Sequence, residues 1–218
     1  MKQKRSPLEE EVHIVGRPPE DDPRAKWDVR YARGEGPQKD TPHSWLVQHM
    51  WRVRPGLALD VACGMGRDSI WLARCGFRVH AVDISAVAIR EAARRARHAG
   101  VDDRIAFVVA DLTRFVVPHE RYDLVIGFSY WEPTLLPVLR DAVRPGGFII
   151  YETYNVWWRL TRPDVNEAYL VSPGALWDWL KGWRILAYRE VGSDHPSTAG
   201  KKAVSSIVAQ KPVEPHRT

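Results

Sequence analysis

The sequence predicts an α/β fold with a doubly wound, mostly parallel sheet and a C-terminal antiparallel hairpin, on three observations. From Pro55 onward, apolar strand-like segments alternate with amphipathic helical ones. The first of these strands runs directly into a glycine turn, and two extended segments close the chain with no helix between them. Residues 55–211 are read as one domain, behind a tail (1–26) and a helical cap (27–54).

The tail carries Pro7, Pro18, Pro19 and Pro23 among charges, without a periodicity that could bury an apolar face, and reads as loose. The cap opens on WDVRYA, crosses a turn-rich stretch and enters a helix near Pro42, whose apolar side holds Trp45, Leu46 and Met50. Strands are expected at 57–62, 78–82, 104–109, 122–128 and 147–153. Between them, helices are expected at 68–75, closed by Gly76, and at 86–99, started by Ser85 and ended by Gly100. A third helix, 134–143, is stopped by Pro-Gly-Gly. Apolar strands separated by helices imply a parallel sheet covered on both faces and joined by right-handed crossovers. The segments 183–191 and 203–210, joined by GSDHPSTAGKK, should pair antiparallel at one edge.

Composition narrows the function classes. The 218 residues are 44% hydrophobic and 27% charged, the balance of an ordinary globular protein. No segment approaches the roughly 20 apolar residues of a membrane span, and MKQKRSPLEEE lacks the apolar stretch of a secretory signal. A cytoplasmic protein is expected, with Cys63 and Cys75 reduced and read as core. The two cysteines have no partners at metal-ligand spacing, so no metal site is expected. The net charge of +5 is spread along the chain. Its densest group, Arg90, Arg94, Arg95 and Arg97, falls on positions a helix turns partly to solvent, which favours a solvated face over a nucleic-acid patch. Most of the ten tryptophans are expected in the core, with one or two lining a pocket.

Three strand ends carry the chemistry. In a doubly wound fold the ligand lies beyond the carboxyl ends of the strands, and the first strand-to-helix turn approaches it most closely. Here that turn is LALDVACGMGRDS, where Gly64 and Gly66 keep Cβ atoms out of the way and the next helix offers N–H groups. Asp60 precedes the glycines, where it would repel a pyrophosphate but suit a ligand carrying ammonium and sulfonium cations. Ser69 stands where a dinucleotide site has its third glycine. The second strand ends in AVDIS, which puts Asp83 about 20 residues past the turn, where a carboxylate accepts from both ribose hydroxyls. The third ends in VVADL, so Asp111 can accept from an adenine amino group beside Leu112.

With YDLVIGFSYWE and VRPGGFIIYE, these motifs resemble the class I S-adenosylmethionine-dependent methyltransferases, from about Trp27 to the C-terminus. WDVRYA, DVACGMGRDS and YETYN followed by YLVSPGAL look most like the tellurite-resistance and thiopurine group. The resemblance implies a Rossmann-like sheet of seven strands with the last inserted antiparallel beside the fifth. It implies S-adenosylmethionine as cofactor, held by Asp60, Ala62, Cys63, Gly64, Gly66, Arg67, Asp68, Asp83, Ile84, Asp111, Leu112 and Phe128, with Trp27, Arg30 and Tyr31 folded over it.

Methyl transfer is an in-line displacement whose leaving group the sulfonium already supplies, so the protein chiefly holds the reacting atoms roughly 3–3.5 Å apart. Ser129, Tyr130, Trp131, Tyr154 and Asn155 at the ends of the fourth and fifth strands are expected to line the acceptor pocket. Arg159 and Arg162 could clamp an anionic acceptor, and His43 or Glu152 could take a proton. GFSYWE lacks the Asn-Pro-Pro-Tyr signature of enzymes that methylate nucleic-acid amino groups, so a small-molecule acceptor is expected. The competing readings are a non-catalytic S-adenosylmethionine-binding protein, a nucleic-acid methyltransferase and a nicotinamide-dependent oxidoreductase.

Overall fold

The computed structural model describes residues 14–15, 22–36, 41–192 and 203–213, which fall into two compact units. One comprises Met1–Pro42 and Pro55–Val116, the other His43–Arg54 and Val117–Thr218. The fold is α/β, with a mostly parallel, doubly wound, Rossmann-like sheet that ends in an antiparallel hairpin.

In the first unit the strands are β1 (Ile14–Val15), β2 (Leu57–Val61), β3 (Arg78–Asp83) and β4 (Ile105–Ala110), in the order β1-β4-β3-β2 and all parallel. Helix α1 (Pro23–Ala32) lies between β1 and β2 in the chain, α3 (Arg67–Arg74) joins β2 to β3, and α4 (Ala86–His98) joins β3 to β4. β2 reads LALDV and is buried from its second residue on, as a strand covered on both faces must be. α4 buries Ala88, Ile89, Ala92 and Ala96, a stripe at helical spacing, and exposes Arg90, Arg94 and Arg97, while Arg95 is half-buried. Arg94 and Arg95 both pair with Glu91, whose carboxyl they hold down at about 2.

In the second unit β5 (Tyr122–Phe128) pairs parallel with β6 (Val143–Tyr154), β8 (Val204–Gln210) inserts antiparallel beside β6, and β7 (Arg184–Val191) pairs antiparallel with β8. Helices α2 (Ser44–His49), α5 (Leu136–Ala142) and α6 (Ala175–Trp179) accompany them. The expected terminal hairpin and its register beside the fifth long strand are both observed.

Four expectations are corrected. α1 begins at Pro23, inside the segment read as tail, because Asp22 accepts from the Arg24 N–H and Pro23 sits at the first turn, where its missing N–H costs nothing. Ile14–Val15 pairs with β4, and the rest of the tail lies outside the described residues. The cap expected over 27–54 is divided, α1 lying in the first unit and α2 in the second. Cys75, read as core, caps the end of α3 and is exposed. Of the tryptophans only Trp45 and Trp183 are buried, whereas Trp27, Trp51 and Trp177 are exposed and the other five half-buried. A large ring that ends in an N–H donor is more often covered along one side than enclosed.

Candidate functional site

The turn after β2 is built for close approach. Ala62 takes φ 53°, Gly64 56° and Gly66 75°, so the backbone passes three times through the left-handed region. The Cys63 N–H donates to the Val82 carbonyl at 3.1 Å, and the Gly66 N–H to the Cys63 carbonyl at 3.0 Å, which fixes the loop to β3. A Cβ on Gly64 would stand 2.8 Å from the Tyr31 hydroxyl oxygen, and one on Gly66 2.9 Å from the Ala92 Cβ. Left-handed backbone held in a non-glycine residue such as Ala62 is characteristic of functional loops.

Three buried carboxylates gather at this turn. Asp60, 2% exposed, accepts from the Ser69 hydroxyl at 2.5 Å. The residue that replaces a dinucleotide glycine thus braces the acid, a role that the sequence reading missed because it is visible only once α3 is wound against β2. Asp83 accepts the Gly64 N–H at 2.8 Å and the Ser85 N–H at 2.9 Å. Asp68 lies in the first turn of α3, with the Arg67 guanidinium 3.5 Å away. Burial pushes the Asp60 carboxyl well above the usual carboxylate range, and the charges of Asp68 and Asp83 push it further. Burial likewise raises Asp83, though hydrogen bonds from Ser85 and Gly64 oppose the shift. It also raises the Cys63 thiol and, with the Asp83 charge, the Tyr31 phenol. Such a cluster favours a ligand that brings positive charge.

The remaining first-unit candidates divide by location. Tyr31 leans over Gly64. Trp27 and Arg30 are exposed on α1, with the guanidinium 4.7 Å from the indole centroid. Leu112 is buried and Ile84 half-buried, while Asp111 uses Oδ1 to accept the Thr113 N–H and hydroxyl.

In the second unit Phe128 is buried and stacks on His43, with centroids 4.0 Å apart and planes 12° apart. Ser129 takes a left-handed φ of 59° at the end of β5 and donates its hydroxyl to the Tyr154 oxygen at 3.0 Å. Tyr154 packs against Trp158, 4.3 Å between centroids, while Tyr130 and Trp131 are half-buried. Asn155 is fully buried: its oxygen caps the turn at Trp157, and its amide donates to the Val191 carbonyl and the Ser205 hydroxyl. It serves the fold and is withdrawn as an acceptor-pocket residue. Glu152 is withdrawn as a proton acceptor, because it accepts from the Ser206 hydroxyl at 2.6 Å and from Arg189 at 2.8 Å. Arg159 pairs with Glu167 at 2.6 Å, and Arg162 makes a fork to Asp164 at 2.9 and 2.8 Å. Both loop guanidiniums are therefore already matched to carboxylates of their own loop.

Residues 58–147 match the family described as a methyltransferase domain. The chain has the class I methyltransferase fold. TehB from Haemophilus influenzae superposes with a TM-score of 0.65 over 85% of this chain and 67% of that one, at 16% identity. The Burkholderia thailandensis 1,6-didemethyltoxoflavin N1-methyltransferase superposes at 0.63 over 87% of each chain, at 20% identity. At such identities the likeness is one of fold. A ubiquinone biosynthesis O-methyltransferase from Methylobacterium sp. is 35% identical over 135 residues, which are 58% of this chain and 53% of that protein. The chain spans between 16% and 53% of the length of four curated relatives that it matches. Among the described residues no group of acidic, histidine or cysteine side chains is arranged to hold a metal, and no helix is long and apolar enough to cross a membrane.

Proposed function

We propose that this chain is an S-adenosylmethionine-dependent methyltransferase acting on a small molecule. The observation that carries the reading is the cluster of buried Asp60, Asp68 and Asp83 around a turn whose backbone runs through the left-handed region at Ala62, Gly64 and Gly66. The residues fit the cofactor chemically. Buried acids welcome an ammonium or sulfonium cation, the Asp83 carboxylate at the end of β3 is the acceptor for the ribose hydroxyls in this reading, and the missing side chain of Gly64 lets the Tyr31 hydroxyl come down on the turn. When bound, the sulfonium supplies the methyl carbon and its leaving group together. The chain binds and orients, and Tyr31 helps to exclude water from the turn.

For the acceptor, Tyr154 and Trp158 offer an aromatic wall and Ser129 a hydroxyl. An anionic acceptor would have to displace Glu167 from Arg159 or Asp164 from Arg162, so a neutral, polarisable one matches better. The didemethyltoxoflavin and ubiquinone-pathway methyltransferases are consistent with a small cyclic acceptor.

S-adenosylmethionine or S-adenosylhomocysteine should raise the melting temperature, by the equivalent of about 2.7 kcal/mol at 100 times Kd, while NAD does not. A methyl-transfer screen across thiols, chalcogen oxyanions, amines, carboxylates and phenols should find turnover. Arg159→Ala and Arg162→Ala should leave S-adenosylhomocysteine affinity unchanged. Protection by NAD alone, or methylation of nucleic acid or protein without any small acceptor, would reject the proposal.

The same carboxylates set a pH dependence. Asp60 and Asp83 hold protons more tightly when folded, so the acid-side stability they give the ligand-free protein is lost as pH rises from the ordinary value of 3.8 through their raised folded values. A cation bound beside them favours the ionised form. Thermal protection by S-adenosylmethionine should therefore grow as pH is raised from about 4 toward neutrality, and protection that is flat across that range would contradict the arrangement.

A further inference from the structure

Helix α1 carries Trp27, Arg30 and Tyr31 but encloses none of its side chains fully, so little apolar burial fastens it. Its Arg30–Glu35 pair is exposed, a kind of contact that contributes little. Asp28 joins it to the rest of the unit by hydrogen bonds. Its Oδ1 accepts the Ser85 hydroxyl at 2.5 Å and the Val87 N–H at 3.1 Å, 57 and 59 residues further along the chain. Ser85 meanwhile accepts the Ala88 N–H at 3.1 Å, capping α4, and donates its own N–H to Asp83. A carboxylate at the start of a helix gains from both the N–H groups there and the helix dipole.

We infer that Asp28 is a positioning residue of the cofactor site. It docks α1 on the first turn of α4 and thereby holds the Tyr31 hydroxyl over Gly64. Asp28 and Tyr31 are three residues apart, so both project from one side of α1. Asp28, Ser85, Asp83 and Gly64 form one hydrogen-bonded chain from the lid helix to the glycine turn. Docking of α1 and the orientation of the ribose-facing carboxylate are thus coupled through Ser85. This inference rests on the cofactor reading above, and its test separates the two.

The test uses the full chain with Asp28→Ala and Asp28→Asn. Hydrogen exchange of the α1 amides is followed in the ligand-free protein, and S-adenosylhomocysteine binding is measured by titration calorimetry. In Asp28→Ala, α1 should exchange about tenfold faster and Kd should rise about tenfold, the scale of one hydrogen bond to a charged group. Asp28→Asn, which keeps an oxygen for both donors, should recover most of each loss. Adding Asp28→Ala to Tyr31→Ala should change Kd little further, because the aspartate acts through the tyrosine. Unchanged exchange in α1 of Asp28→Ala would overturn the docking role, and faster exchange with unchanged Kd would overturn the positioning role. Failure of the wild-type chain to bind S-adenosylhomocysteine would overturn the cofactor reading, while the exchange experiment would still decide how α1 is held.

Discussion

Asp83→Ala is expected to weaken S-adenosylhomocysteine binding by about 1.5–3 kcal/mol, the range for hydrogen bonds to a charged group, which is roughly 10- to 150-fold in Kd. It should also lower the melting temperature. In the ligand-free protein the Asp83 carboxylate already serves the Gly64 and Ser85 N–H groups, and its removal leaves those donors without an acceptor at a cost of about 1–3 kcal/mol each. The sequence alone would predict an effect on binding only. Asp83→Asn offers one oxygen for two donors, so it should fall between wild type and Ala in both measurements. Calorimetric titration beside a thermal melt checks both, and unchanged affinity in Asp83→Ala would remove Asp83 from the cofactor site.

Gly66→Ala is expected to be the most destabilising of the small substitutions in the first unit. The backbone there has φ 75°, which costs an L-residue about 1–2 kcal/mol. The new methyl would also stand 2.9 Å from the Ala92 Cβ and 3.3 Å from the Phe107 ring. Ala92 is fixed in α4, so the overlap cannot be relieved by swinging a flexible side chain, and overpacking of this kind adds about 1–3 kcal/mol. Denaturant unfolding should show a loss of about 2–5 kcal/mol in all. The comparison with Gly64→Ala is informative, because the obstacle there is the far end of Tyr31, which can swing aside. Gly64→Ala should lose less stability but should displace the tyrosine from the cofactor turn. Equal losses at the two glycines would mean that α4 yields more easily than its packing indicates.

The strand and helix pattern was legible because each element follows a simple rule. β2, β3 and β4 are apolar runs bounded by turn residues, and α4 carries a clear apolar stripe between Ser85 and Gly100. The start of α1 was not legible, since PRAKWDVRYA has no apolar stripe, and its cap and its docking carboxylate lie outside any periodic signal.

The sequence by itself determined the class of the fold and the acids of the site. Alternation of strand and helix dictates a parallel sheet, and glycines or carboxylates at strand ends are set by local backbone geometry and chain order alone. Tertiary structure decided what each of those acids does and which neighbours are already engaged. Ser69 reaches Asp60 across nine residues, Asp28 reaches Ser85 across 57, and Asn155 and Glu152 are tied to the C-terminal hairpin through Val191, Ser205, Arg189 and Ser206. A hydrogen bond needs two groups within about 3 Å, and for residues far apart in the chain that distance is fixed only when the elements pack, so no local pattern records it.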